Sequence, residues 1–368
     1  MPSSASRSAE RAKQPSGGVA DQMKAMGVTS YEEPLVELDV PEPELVPGHA
    51  LLEVLACGVC FSDVKTSRGL MPFSDELGLP HVPGHEISGR VISSDPEGAI
   101  EPGTNVVVHH YTPCGRCAAC LAGDENQCAS LVAWTGFTHP GGFAEKVVVP
   151  LDRLFAVPAN VDPLYAGPLT CALGTAYRSI VGRGAVSAGM DVAVIGLGGV
   201  GIHTLQIARH AGARAIGLDT SDRALEVAAE LELTTMRADE PDVEERAMAE
   251  TRAGAFDLVI DNVGLEQTLA RAVRLVRPGG RIVGVGYKAD TNLTVPTPLF
   301  VLGELELVGS RYVSRDELSR AIQLVADGHV RLIVDQVLPL AKANDAFELL
   351  EQGGLAGRVV LDVAGIAP

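Results

Sequence analysis

The chain has 368 residues, 46% of them hydrophobic and 21% charged, which is enough for about two domains that each bury a core. No apolar run reaches the length of a membrane-spanning helix. With 29 Lys and Arg against 47 Asp and Glu, the net charge of −18 repels phosphate backbones and anionic lipid, so neither nucleic acid nor a membrane is an expected partner.

Residues 1–22 are rich in Ser, Ala, Arg and Gly and lack an apolar h-region, so they read as a flexible tail rather than a secretory signal, and a cytoplasmic location is expected. From 23 to 171 the chain is a series of short β-like runs, ALLEVLACGV, EISGRVI, NVVVHH and EKVVVP, cut by Pro and Gly. This pattern predicts a β-rich domain with long loops. Near Pro168 the pattern changes to alternating strands and helices: DVAVIG, GIHTLQIARHAGA, RAIGLD, ALEVAAEL, FDLVIDNVG, TLARAVRLV and RIVGVGY. Such alternation predicts βαβ units and a doubly wound parallel sheet over 172–313. Residues 314–368 close with a helical stretch, NDAFELLEQGG, and a strand, GRVVLDV, that returns to the first domain.

The run GLGGVG places Gly196, Gly198 and Gly201 in GxGxxG spacing, after a strand and at the opening of a helix. There Gly196 permits a tight turn, Gly198 admits a pyrophosphate against the backbone, and Gly201 allows close helix–strand packing. The next strand ends at Asp219, whose carboxylate suits ribose hydroxyls and repels a 2′-phosphate, so NAD is expected in preference to NADP.

Seven cysteines occur, four of them at Cys114, Cys117, Cys120 and Cys128 in C-x2-C-x2-C-x7-C spacing. Four thiolates with no open position predict a closed structural zinc site. An iron–sulfur cluster of the ferredoxin type would bring its fourth cysteine after three residues followed by Pro, and disulfides suit a secreted chain. Cys60, His85 and Cys171 can supply three ligands and an open fourth position, although from spacing alone a core histidine and small buried thiols are equally open readings. Cys57, on the opposite parity of its strand, reads as core.

The ordered motifs GVCFSD, GHEISG, the four-cysteine lobe, PLTCALGTAY and GLGGVG resemble the zinc-dependent medium-chain alcohol dehydrogenases, from about Met23 to GRVVLDV. The resemblance implies an α/β fold class, a GroES-like β-barrel catalytic domain joined to a Rossmann domain, with two zinc ions per chain and NAD. It implies Cys60, His85 and Cys171 as catalytic zinc ligands, Glu86 as a carboxylate near the metal, Asp63 as the group orienting His85, and Ser62 as the hydroxyl passing on the substrate proton. Lys65 stands where many relatives carry a histidine and joins the catalytic candidates, while Phe61 and Asp95 replace a polar residue and a glycine usual in the family. Thr175 and Val200 are implied around the nicotinamide and Arg358 at the pyrophosphate, and Gly199, Arg223 and Gly264 complete the expected cofactor contacts.

The expected reaction is interconversion of an alcohol with its aldehyde or ketone by hydride transfer. His110, Tyr111 and Trp134, with His109 and Phe137, fall in loops near the expected pocket. The run LELVGS, residues 305–310, resembles the edge through which family members pair, so a homodimer or homotetramer is expected. Three rivals differ in class or substrate. A metal-free enoyl or quinone reductase would not need the three ligands, a polyol or sugar dehydrogenase shares them, and a non-catalytic NAD-binding protein would not need Ser62 and Asp63.

Overall fold

The computed structural model describes residues 21–95, 100–288 and 291–367, so most of the expected N-terminal tail lies outside the described residues. A strand begins at Gln22 and pairs antiparallel with Val36–Pro41. The long strand His49–Val59 is the spine of a seven-stranded sheet, flanked by Glu86–Ser94 on one side and Arg358–Asp362 on the other, with Lys146–Pro150 also pairing to it. Its apolar side chains, including Leu52, Val54 and Val59, pack with Ile87, Val106, Phe143 and Leu361 in one core. The C-terminal run GRVVLDV thus joins the N-terminal sheet, and Val334–Pro339 pairs parallel outside it.

The second sheet has six strands, all parallel, in the order Thr235–Arg237, Arg214–Asp219, Asp191–Ile195, Phe256–Asp261, Val276–Gly284 and Glu306–Gly309. Every residue of Asp191–Ile195 is buried, as expected for a central parallel strand covered by helices on both faces. The chain order reverses between Asp191–Ile195 and Phe256–Asp261, so the sheet's ligand crevice opens at the carboxyl ends of those strands. Helix Arg315–Ala326 buries Leu318, Ala321, Ile322 and Val325 in the same core as Val192, Leu205 and Leu173, and so packs with the parallel-sheet unit before the chain crosses back.

Glycines fit the turn where the sequence placed them. Gly196 has φ +83°, which only glycine adopts without strain, and a Cβ on Gly201 would strike the Gly196 carbonyl oxygen. Gly198 has nothing within 4 Å of where a Cβ would stand, leaving the backbone open to a ligand.

His203, on helix Gly201–His210, pins this turn to the returning chain. Its Nδ1 donates to the Gly199 carbonyl at 2.7 Å and its Nε2 accepts from the Ile333 amide at 3.2 Å. A proton on Nε2 would face an N–H, and burial lowers the group to about 4. Its folded pKa lies below the unfolded value near 6.5, so the unfolded chain gains protons first as pH falls, and stability drops with it. This group alone contributes a loss on the order of 2 kcal/mol by pH 5. In thermal unfolding from pH 7 to pH 5, His203→Gln should show a shallower decline in Tm than the parent; parallel declines would contradict this role for His203.

Candidate active site and metal centres

Cys60 directly follows the spine strand and caps helix Phe61–Ser67, whose first turn carries Ser62 and Asp63. The Asp63 carboxylate turns back toward the cap. Its Oδ2 accepts the Cys60 amide at 2.8 Å, while Oδ1 accepts His85 Nδ1 at 2.9 Å and the Gly84 amide at 3.3 Å. Asp63 and His85 are fully buried. With Nδ1 committed, His85 presents Nε2 to the sulfur of Cys60. Glu86 pairs with Gly58 across the sheet, where any side chain would strike its carboxylate. Cys171 caps helix Ala172–Tyr177. One ligand atom from each of Cys60, His85, Glu86 and Cys171 lies within 4.8 Å of the others.

The protonation pattern is that of a site built for a cation. The hydrogen bond with Cys171 holds Cys60 well below the ordinary thiol range, aided by Arg358 against burial, and the same bond pushes Cys171 well above it. Burial opposes a charge on His85, but the Asp63 carboxylate outweighs it and lifts the imidazole to about 10. A zinc ion needs both sulfurs and His85 Nε2 free of protons, so binding there would displace the protons these groups share. Glu86 is also raised, by burial first, and its Oε2 is buried without a partner among the described residues. Sulfur, nitrogen and a spare carboxylate oxygen suit zinc.

Arg358 stands between this cluster and the glycine turn. Its Nε donates to Glu86 Oε1 at 3.0 Å, Nη2 approaches Cys60 Sγ at 3.5 Å, and Nη1 lies where a Cβ on Gly199 would be. Arg358 is therefore placed to compensate the charge of the ligand set. Val200 caps helix Gly201–His210, and Thr175 sits one turn after Cys171, almost fully buried. Asp219, at its strand's carboxyl end, accepts the Leu197 amide at 2.5 Å and the Ser221 amide at 2.8 Å. These bonds aim it at the turn.

Two expected cofactor contacts have other partners. Arg223 Nε donates to Asp335 at 3.0 Å, and Gly264, at φ +73°, packs directly on the Gly286 backbone. Lys65, a turn beyond Ser62, donates from Nζ to the Tyr287 carbonyl at 2.9 Å and lies 3.4 Å from that ring's centroid. Burial lowers its pKa, and its donated bond ties the helix Phe61–Ser67 to the segment after Val276–Gly284.

His110 lies edge-on to His85, ring centroids 4.8 Å apart, and the rings of Tyr111 and Trp134 meet at a tilt with centroids 4.9 Å apart. Phe137 packs against His85, His110 and Trp134, whereas the two ring nitrogens of His109 face the carbonyls of Tyr111 and Val313, of which a neutral imidazole can donate to one. Three residues outside the sequence-derived set, Tyr287, Arg311 and Tyr312, also border this space. All three follow the carboxyl ends of parallel strands, Val276–Gly284 and Glu306–Gly309, which is the signal that would have found them.

The four-cysteine lobe forms a second cluster, again with ligand atoms within 4.8 Å. Sulfur separations of 3.4, 3.9 and 4.0 Å bracket the roughly 3.8 Å edge of a tetrahedron with zinc–sulfur bonds of about 2.3 Å. All seven cysteines are free, so no disulfide competes. Backbone amides lower Cys117 to about 6, while burial and its neighbouring sulfurs push Cys120 to about 12, since crowded thiols cannot all ionise without a cation. Asp63→Asn keeps the shape and removes the charge that orients His85. Elemental analysis should then show zinc falling from about two to about one per chain, with the loss confined to the interdomain cluster; retention of both would contradict the role of Asp63.

The description "alcohol dehydrogenase GroES-like domain" matches residues 46–159, and "zinc-binding dehydrogenase" matches 199–327. An alcohol dehydrogenase of Geobacillus stearothermophilus is 32% identical over 345 residues, covering 93% of this chain and 100% of the relative. A solved NAD-dependent alcohol dehydrogenase superposes with a TM-score of 0.87 at 31% identity, over 93% of this chain and 100% of its own. The alcohol dehydrogenase of the hyperthermophilic archaeon Aeropyrum pernix does so with a TM-score of 0.84 at 29% identity, over 92% and 100%. With both domains matched and two ligand clusters of the kind zinc takes, this chain belongs to the zinc-dependent medium-chain alcohol dehydrogenase family.

Proposed function

We propose that this chain interconverts an alcohol and its aldehyde or ketone with NAD, using a zinc ion held by Cys60, His85 and Cys171. The observation that carries this reading is the convergence of those three ligands and Glu86 beside an open glycine turn, bridged by Arg358. When bound, zinc supplies Lewis acidity toward the substrate oxygen and the nicotinamide exchanges hydride with the reacting carbon.

The chain's own residues do the rest. Asp63 fixes His85 in the tautomer that leaves Nε2 free. Ser62, on the adjoining helix turn, passes the substrate proton outward. Arg358 offsets the negative charge of the thiolates and of Glu86, so the cluster does not repel the dinucleotide. Gly198 admits the pyrophosphate at the start of helix Gly201–His210, and Asp219 takes the ribose hydroxyls. Gly199 packs under Arg358, while Thr175 and Val200 back the nicotinamide. The aromatic walls keep water from the reacting atoms. The four cysteines 114, 117, 120 and 128 hold the second, structural zinc.

Reduction of NAD, followed by nicotinamide absorbance over simple alcohols and polyols, tests the reading and separates a polyol dehydrogenase from an alcohol enzyme. Turnover of an alcohol is expected, and Asp219→Gly should reduce the preference for NAD over NADP by about tenfold or more. Unchanged cofactor selectivity would remove Asp219 from the ribose site.

We assign a homodimer or homotetramer in the cytoplasm. Strand Glu306–Gly309 is the edge of the parallel sheet, and helix Thr297–Leu302 beside it exposes Leu299, Phe300, Val301 and Leu302, the last at 84%. An unpaired edge next to an apolar helix is the kind of surface that a second copy covers. Light scattering on the eluted protein should give two or four chain masses; a monomer at micromolar concentration would contradict this assembly.

A further inference from the structure

Arg311 follows the edge strand and lies over the aromatic wall of the site. Its Nε and Nη2 donate to Tyr111 Oη at 2.9 and 2.5 Å, and its guanidinium carbon lies 5.3 Å from the ring centroids of both Tyr111 and Trp134. Among the described residues no carboxylate comes within 4 Å of it. Among the described residues the remaining donors of this exposed arginine meet ring faces and solvent besides the neutral Tyr111 hydroxyl, in a chain whose net charge is −18.

The loop is held firmly in this pose. Asn126 Nδ2 donates to the Arg311 carbonyl at 2.7 Å, and the Arg315 amide donates to Glu125 at 2.7 Å, so the four-cysteine lobe braces it. Tyr312 is buried at φ +50°, a left-handed conformation that costs a bulky residue on the order of 1–3 kcal/mol. The strain turns the Tyr312 ring into the site, 3.9 Å from His110, while Arg311 covers Tyr111. Two further polar atoms on this wall, Trp134 Nε1 and His110 Nδ1, are buried without a partner among the described residues. From the metal ligand His85 the wall runs through His110 and Tyr111 to Arg311, with steps of 4.8, 5.1 and 5.3 Å.

An unneutralised guanidinium fork, two aromatic layers from the reacting atoms, has its best complement in a carboxylate, which accepts two parallel N–H bonds. A plain alcohol has nothing to offer it. We propose that the substrate of this site carries a carboxylate at the end remote from its reacting carbon, as an ω-hydroxy or ω-oxo acid does, and that Arg311 selects for it. The inference rests on the catalytic reading above for the position of the reacting carbon.

The test compares hexanal with its ω-carboxylated analogue, adipate semialdehyde, on the zinc-loaded enzyme with NADH. The parent should favour the acid in kcat/KM. In Arg311→Leu the ratio of acid to hexanal should fall about 10- to 100-fold through a higher KM for the acid, with Arg311→Lys between them, since it keeps the charge and loses the fork. A parent that favours hexanal, or a variant in which both substrates lose equally, would overturn the proposal, as would an effect on the KM for NADH alone. Trp134 is the single tryptophan of the chain and stands against Arg311, so its fluorescence reports binding without turnover. Hexanoate should change that emission in the parent and not in Arg311→Leu, and hexanamide should be weaker than hexanoate in the parent. Equal responses to acid and amide would also overturn the proposal. A selective hexanoate response with neither aldehyde reduced would uphold the anion site and sink the catalytic reading instead.

Discussion

One buried carboxylate sets the geometry on which the site depends. Asp63 gathers the Cys60 amide, the Gly84 amide and the His85 ring, three groups that belong to two chain segments more than twenty residues apart. Burying an ionised carboxylate is costly unless it is fully hydrogen-bonded, and here its two oxygens receive three donors. The same bonds decide which imidazole nitrogen is free and place the Cys60 sulfur at the head of a helix. Strand pairing already sets the two segments side by side, with Gly58 opposite Glu86, and these bonds fix the orientation of the ligands at the ends of that pair.

The next layer of constraint is charge balance. Glu86 and the Cys60 sulfur put negative character side by side at the cleft, and Arg358, carried by the strand Arg358–Asp362, lies against both at once. Burial would lower an isolated guanidinium, but the Glu86 carboxylate beside it raises this one further. The closing strand therefore does more than complete a sheet: it carries the counter-charge that lets an anionic ligand set and an anionic dinucleotide share one cleft. The four-cysteine lobe plays a mechanical part at the opposite wall. Asp124, Glu125 and Asn126 within it bind Arg178, Arg153, Arg315 and the Arg311 carbonyl, so folding that lobe positions the loop that borders the substrate space.

Much of this was legible from residues alone. Strand–helix alternation gave the parallel sheet, and the glycine spacing gave a turn whose Gly196 conformation and open Gly198 fit that reading. The lobe cysteines were legible because a metal site made from one short segment leaves its spacing in the sequence. Cys60, His85 and Cys171 were different: they are brought together by the pairing of distant strands, which spacing does not encode, and family resemblance was needed to join them. What stayed hidden was the identity of partners. Nothing local in the sequence shows that Arg223 pairs with Asp335 or that Lys65 donates to the Tyr287 carbonyl. Arg311 and Tyr312 lay in a loop without a motif, and only the position of that loop after a strand end marked it.

The central claim is that Cys60, His85 and Cys171 jointly hold a zinc ion beside the dinucleotide turn. The most direct measurement is anomalous diffraction at the zinc edge from crystals of the metal-loaded protein. The account predicts two peaks per chain, one enclosed by the four lobe cysteines and one within bonding distance of Cys60 Sγ, His85 Nε2 and Cys171 Sγ. A fully loaded protein whose second peak is missing, or bound by other side chains, would contradict it.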